Sequence, residues 1–239
     1  MVYVIFRFED ARQLTAIIST SPKVWLKTFC DKGGLTALLN MVDKLISVDD
    51  MRSRKLSVLI QLLHSLKALM NYSSGLNYVL QVENAVYIIS KCLKCKVEEC
   101  LEIALEMLSV ICFFSTEGQI MTYRAMSSFR SEQREFTKYF TLVKTMERTT
   151  SEKLQTLCVT FVNNLVYSSP NIKERNSIRR ELFRLEFTGI AKLIAEEGYT
   201  PFVTQFEVFE QLMLADQYEM VEAQMVCKKI IDVLMHHVM

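Results

Sequence analysis

The chain has 239 residues, half of them hydrophobic and 23% charged, with a formal net charge of +1. That composition belongs to a folded chain, with material for one sizeable core or a row of small stacked ones. So even a charge balance offers no field for nucleic acid or an anionic membrane, and no apolar run approaches the ~18 residues of a membrane span.

Met1–Phe6 is apolar but too short for a signal peptide and has no basic lead. Phe6, Phe8, Leu14, Ile17 and Ile18 suggest a partly buried helix, with its limits ambiguous. Ser21-Pro22 reads as an N-cap followed by proline at the first helical position. Val24, Trp25 and Phe29 belong to a short helix, with Trp25 expected as a core plug. After Gly33-Gly34, the spacing of Leu35, Leu38, Leu39, Val42, Leu45 and Ile46 gives a longer helix. Asp49, Asp50, Arg52, Ser53 and Arg54 form a polar connection.

The stretch Lys55 to Gly75 sets the pattern for the rest. Leu56, Leu59, Ile60, Leu63, Leu66 and Met70 recur at three- and four-residue steps as one buried stripe. Ser57, Gln61, His64, Lys67 and Asn71 fall on the opposite stripe, and Gly75 is placed where a left-handed stop ends a helix. Short helices follow around Leu76–Leu80 and Val86–Leu93. Val97–Phe114 and Ser151–Tyr167 are again long and amphipathic, and Ile178–Ile194 continues to Gly198. Pro201 opens a helical region that runs to the last residue.

All six glycines and all three prolines read as breaks between helices, and no stretch alternates as a strand would. The class is all-α. The long helices end near Met70, Ile111 and Leu165. The first interval fits the roughly 40–47 residues of an armadillo or HEAT repeat, and the second calls for an insertion within Ser115–Glu135. The expected fold is an armadillo-like solenoid, with a compact helical bundle as the alternative.

No catalytic grouping is found, so no enzyme is expected and no cofactor or metal. Seven cysteines, an odd number spread over helices, favour a reducing compartment, hence the cytoplasm. Cys92-Leu-Lys-Cys95 with Cys100 falls short of the two close ligand pairs that structural zinc needs, and reads as buried thiols. His236-His237 reads as terminal, and six scattered glycines build no phosphate loop. Glu98, Glu102 and Glu106 share one helical face, either a solvated face or an acidic strip for a basic peptide.

Ser21-Pro-Lys-Val-Trp-Leu-Lys-Thr-Phe29, then Gly34-Leu-Thr-Ala-Leu-Leu39, resembles the GTPase-binding segment of diaphanous-related formins. Leu66-Lys-Ala-Leu-Met-Asn71 with Gly75 resembles that family's next block, except that Tyr72 stands where the family has a second asparagine. Leu108–Cys112, Val162–Val166 and Ile178–Leu185 match later blocks in the same order.

The resemblance implies an inhibitory regulatory module controlling actin filament assembly, cytoplasmic and cytoskeleton-associated. In that family a GTP-loaded Rho-type GTPase binds the amino-terminal subdomain and first repeat. An autoregulatory carboxyl-terminal helix of the same formin competes from the concave face of the repeats. On this chain the division falls at 1–54 for the GTPase-binding helices and 55–239 for the armadillo repeats. Lys23, Lys27, His64, Lys67, Asn71 and Tyr72 are expected to meet the GTPase. Glu83, Glu106, Ser109, Val110, Thr156, Thr160 and Asn163 are expected to line the inhibitory-helix groove, and Asn163→Asp to weaken the helix without harming the fold. Nucleic acid and membrane insertion are not expected, homodimerisation is left open, and an armadillo-type adaptor for another peptide or scaffold is the alternative function.

Overall fold

The computed structural model describes residues 7–48 and 53–236, with side chains described to Val226 save Ser53 and Ala223. Residues 1–6, most of the polar connection at 49–52, and His237 therefore lie outside the described residues, as does the His236 side chain. Among the described residues there are thirteen α-helices and no strand. They are α1 (Phe8–Thr20), α2 (Lys23–Asp31), α3 (Gly34–Ile46), α4 (Ser53–Met70), α5 (Ser73–Gln81) and α6 (Ala85–Lys91) with a 3₁₀ turn at Cys92–Lys94. There follow α7 (Glu98–Phe114), α8 (Thr116–Gln133), α9 (Phe140–Arg148), α10 (Glu152–Tyr167), α11 (Ile172–Phe183), α12 (Phe187–Ala195) and α13 (Thr200–His236).

The long helices α1, α4, α7, α10 and α13 pack side by side in that order as one layer. The helices α3, α6, α8 and α11 lie against α4, α7 and α10 from behind as a second layer. This is an armadillo-like helical-repeat solenoid, and its core is continuous from Ala11 to Phe209. Because α4 is flanked by α1 and α7 and backed by α3 and α5, its buried surface is wider than one stripe. Val58, Leu62, Ser65 and Leu69 are buried together with Leu59, Leu63 and Leu66. Buried Ser65 is satisfied locally, its hydroxyl donating to the Gln61 carbonyl at 3.0 Å and meeting Thr15 Oγ1 of α1 at 2.7 Å.

Three readings of the sequence are corrected. Ser21 closes α1, its N–H donating to the Ile17 carbonyl at 2.9 Å, and Pro22 is itself the N-cap of α2. Gly75 is not a left-handed stop: it is buried in the first turn of α5, and a Cβ there would stand 2.0 Å from the Leu69 carbonyl oxygen of α4. Glycine is required for the close approach of two helices, and not for a positive φ. Gly118 repeats the device one unit later, in the first turn of α8, where a Cβ would stand 2.1 Å from the Ile111 carbonyl oxygen of α7. Left-handed glycines are Gly33, which leads into α3, and Gly198 ahead of α13. The third correction is Trp25: it is 36% exposed and stacks at 5.3 Å on Phe29, while its neighbour Leu26 is the buried residue. On a nine-residue helix only one side faces the core, and Leu26 takes it.

The longer second interval comes from α8, whose 18 residues replace the nine of α5, and from the turn around Arg134 that follows it. Helix starts are set by side chains where the sequence supplies them. Ser115, Ser151 and Asn171 accept the N–H of Gly118, Leu154 and Glu174 at the starts of α8, α10 and α11.

Candidate functional site

The open face of the layer is built by α4, α7 and α10, which run parallel. The register rises together along both seams: His64 with Glu99, then Lys67 with Glu106; Glu102 with Lys153, Cys112 with Asn164, then Phe113 with Tyr167. The carboxyl-terminal ends of the three helices therefore share one edge.

Two kinds of surface follow along this face. Along the first half of α7 is a ladder of charge: His64 Nε2 lies 3.2 Å from Glu99, Lys67 Nζ 2.5 Å from Glu106, and Lys153 Nζ 2.5 Å from Glu102 and 3.8 Å from Glu106. The bond to Glu102 holds the Lys153 ammonium above its ordinary range, with Glu106 and Glu99 adding to it. The acids of α7 are thus neither simply solvated nor free, since Lys67, Lys153 and Thr149, which donates to Glu98, are engaged with them. Toward the carboxyl-terminal ends the face turns apolar. Val110 and Phe114 are exposed, and Phe113 (62% exposed) stacks on Tyr167 (63%) with ring centroids 5.9 Å apart.

The structure brings together His64, Lys67, Glu106, Val110, Thr156 and Thr160 on this face. Asn71 is exposed at the end of α4, and Tyr72 starts the next turn with its hydroxyl donating to the Ser19 carbonyl of α1 at 3.4 Å. Lys23 and Lys27 are exposed on α2, one turn apart and flanking Val24 and the Trp25–Phe29 stack.

Three expected groove residues lie elsewhere. Glu83 sits in the turn between α5 and α6, beside Tyr87, Met121 and Arg124 of the second layer. Ser109 is 6% exposed, its hydroxyl buried without a partner. Asn163 is 4% exposed and fastens α10 to α13, its amide donating to the Gln205 carbonyl at 2.8 Å and to Gln205 Oε1 at 3.2 Å. For the last two the reason is rotation. Each residue turns the helix by about 100°, so the open stripe runs Glu106, Val110, Phe113 and Thr156, Thr160, Asn164, Tyr167, and its neighbours by one position enter a seam. Phe113 and Tyr167 were missed by sequence reading, although the same four-then-three spacing carried on past Val110 and Thr160 reaches them.

Among the described residues, Cys92, Cys100, Cys112 and Cys158 are buried. Cys92 and Cys100 are fully buried and Cys95 half-buried; a hydrogen bond with Cys100 pushes the Cys95 thiol far up, one with Cys92 does the same for Cys100, and burial adds to both. Burial takes Cys112 to about 12. Among the described residues no group of three His, Cys, Asp or Glu is arranged to hold a metal ion, and no helix is long and apolar enough to cross a membrane.

A parallel layer of long helices backed by shorter ones, with an open face part charged and part aromatic, defines an armadillo-type helical-repeat binding domain. Residues 11–113 match the diaphanous GTPase-binding domain and residues 121–236 the diaphanous FH3 domain. The chain belongs to the diaphanous-related formins, of which it represents the GTPase-binding and FH3 region. It is 28% identical to Formin-F of Dictyostelium discoideum over 222 residues, covering 90% of this chain and 18% of that protein. It is 25% identical to human protein diaphanous homolog 3 over 210 residues, covering 87% of this chain and 17% of that protein. The chain thus spans less than a fifth of the length of these curated relatives. Its fold is similar to that of E. histolytica Formin1 bound to EhRho1-GTPγS, with a TM-score of 0.78 at 16% identity over 91% of this chain and 75% of that one. A computationally designed armadillo repeat protein for modular peptide recognition aligns with a TM-score of 0.59 at 15% identity, over 84% of this chain and 72% of that one.

Proposed function

We propose that this chain is the regulatory binding module of a formin, taking a Rho-family GTPase in its GTP form and an autoregulatory carboxyl-terminal helix of the same formin, and so controlling actin filament assembly in the cytoplasm. The amino-terminal helices, residues 1–54 of the proposed division, present Lys23 and Lys27 to the GTPase beside the exposed Trp25–Phe29 stack. Across the boundary, His64, Lys67, Asn71 and Tyr72 extend that contact. The repeats, residues 55–239, offer Glu106, Val110, Thr156 and Thr160 to the amphipathic helix, together with Phe113 and Tyr167.

The observation that carries this reading is the division of one face into an ionic ladder and an aromatic stack. An amphipathic helix lays its apolar anchors on the stack and its basic residues on the acids of α7. Lys67 is the hinge of the competition: paired with Glu106, it lies between the GTPase side and the helix side. The middle of α13 adds an exposed apolar stripe, Leu214, Tyr218, Val221 and Met225, at the spacing of a helix–helix seam, which supports pairing with a second copy.

The test is a pull-down with GTP- and GDP-loaded Rho-type proteins, followed by displacement with a synthetic helix from the carboxyl-terminal region of a formin. Capture that depends on GTP and is reversed by the helix is expected. Equal capture of both nucleotide forms overturns the GTPase assignment, and a helix that binds without competing overturns the competition.

A further inference from the structure

The second layer carries a groove apart from the open face of α4, α7 and α10. It is about 610 Å³ in volume, lies between α8 and the start of α11, and has Gln119, Ile120 and Tyr123 on one wall and Ser169, Ser177 and Ile178 on the other. Its floor is fixed. Gln119 donates to Ser169 Oγ at 3.3 Å across the groove, both residues being buried, and Ser169 in turn donates to the Leu165 carbonyl of α10 at 2.8 Å. Tyr123 is held from beneath by the Lys138 ammonium, 3.6 Å from its ring centroid.

The rims are cationic. Arg124, Lys173 and Arg180 are exposed, and among the described residues none of them makes an ion pair; Arg180 donates only to the Asn176 carbonyl of its own helix, at 3.4 Å. The one acid in the lining, Glu174, is bound by the Asn171 side-chain amide at 3.1 Å. By contrast, Lys67, Lys91, Lys138, Lys153 and Arg175 face carboxylates. A second hollow, about 440 Å³, shares Lys173 and Arg180 and runs on along α11 to Phe183 and Arg179. Arg179 is 2% exposed, and its Nε and Nη2 have no partner.

We propose that the α8–α11 groove is a docking site for an acidic amphipathic peptide segment of another protein, its aliphatic anchor between Ile120 and Ile178 and its carboxylates on Arg124, Lys173 and Arg180. A fixed apolar trough with unpaired cations on both rims complements a segment with acids on either side of an aliphatic residue. A bilayer does not enter a trough. The site is on the other layer from the Phe113–Tyr167 face, so the two stand or fall separately.

The probe is a fluorescein-labelled synthetic peptide with glutamates flanking two leucines one helical turn apart, titrated into the full chain by anisotropy. Its counterpart with lysines for glutamates is the control. Binding is expected for the acidic probe alone, to weaken as KCl is raised, and to fall by about tenfold or more in the R124E/R180E double variant. Both side chains are exposed, and an unchanged thermal melt establishes that the variant is folded. Phe113→Ala, on the other face, leaves the probe's affinity unchanged, and the double variant keeps its GTPase capture. The proposal is overturned if the acidic probe does not bind, if the double variant binds it as the parent does, if Phe113→Ala abolishes it, or if phosphatidylserine vesicles co-sediment with the chain and displace it.

Discussion

Two clusters of charge in this molecule are built from the same residue types and do opposite things. On the open face, Lys67, Lys153, Glu102 and Glu106 pair across neighbouring helices with their head groups still in contact with water. At the corner where α11 meets α13, Arg175 and Arg179 close on Asp216, with Arg179 and Asp216 buried and Arg175 half-buried. Arg175 Nε donates to both carboxylate oxygens at 2.9 Å, Arg175 Nη2 lies 2.7 Å from Oδ1, and Arg179 Nη1 lies 2.5 Å from Oδ2. Arg175 Nη1 also donates to the Ser169 carbonyl at 3.2 Å, so the cluster ties the end of α10 to α11 and α13. The first set can exchange partners at little cost, because exposed pairs contribute about 0–1 kcal/mol. The second cannot, because removing one member strands a buried charge. One cluster is suited to recognition and the other to holding the last helix in the stack.

The sharpest way to break that contrast is Asp216→Ala. It leaves Arg179 buried without its carboxylate, and a loss of roughly 3–5 kcal/mol is expected in urea unfolding. Hydrogen exchange in α13 should rise before that in α4. A loss below about 1 kcal/mol would place Asp216 with the surface pairs. The same cluster sets a pH dependence. Burial alone would raise the Asp216 carboxyl, but the hydrogen bonds from Arg175 and Arg179 outweigh it and hold the group below its ordinary value. A carboxylate so lowered adds stability that is complete above its unfolded pKa of about 3.9 and fades as pH falls through the lower folded value. Acid titration of stability should therefore steepen below about pH 4 in the parent and lose that component in Asp216→Asn.

The seams between units provide the next effect. Gly75→Ala and Gly118→Ala each push a methyl into a carbonyl of the preceding long helix and are expected to cost about 1–3 kcal/mol by overpacking. Gly189, in α12, has nothing within 4 Å of a built Cβ, and Gly189→Ala should be neutral or stabilise by up to about 1 kcal/mol. Thermal melts of the three single variants separate glycines held by packing from the one that is not.

What the sequence made legible, and what it did not, divides along similar lines. Periodicity located α7 and α10 to within a residue of Glu98–Phe114 and Glu152–Tyr167, because an apolar stripe is a local signal. The open stripe was recovered in part through His64, Lys67, Glu106 and Thr160. It failed at Ser109 and Asn163, where an error of one position is about 100° of rotation and carries a side chain from the face into a seam. Asn163→Asp accordingly acts on the fold: it replaces an amide donor facing the Gln205 carbonyl and should loosen α13 by about 1–3 kcal/mol. Trp25 reads as a core plug at a helix start in an apolar block, yet Leu26 is the buried residue of α2, with Phe29 and Cys30 packed partly against the core. The pairing of Lys67 with Glu106 and of Arg179 with Asp216 was out of reach, since it depends on which helices become neighbours and in what register.

The smallest effect on stability is expected where the functional reading concentrates most. Lys67 donates to Glu106, and Glu106 also faces Lys153 at 3.8 Å. In Lys67→Ala the Glu106 carboxylate therefore keeps a cation and its contact with water, and the fold should lose no more than about 1 kcal/mol. The functional effects should separate. If Lys67 belongs to the GTPase side, its loss weakens GTP-dependent capture. The same change leaves Glu106 more available to a basic residue of the incoming helix, which should bind as well or better. A titration of both partners against the variant reads the two effects in opposite directions. Equal weakening of both would mean that Lys67 only holds α4 to α7, and the open face would lose its claim to be the exchangeable one of the two clusters.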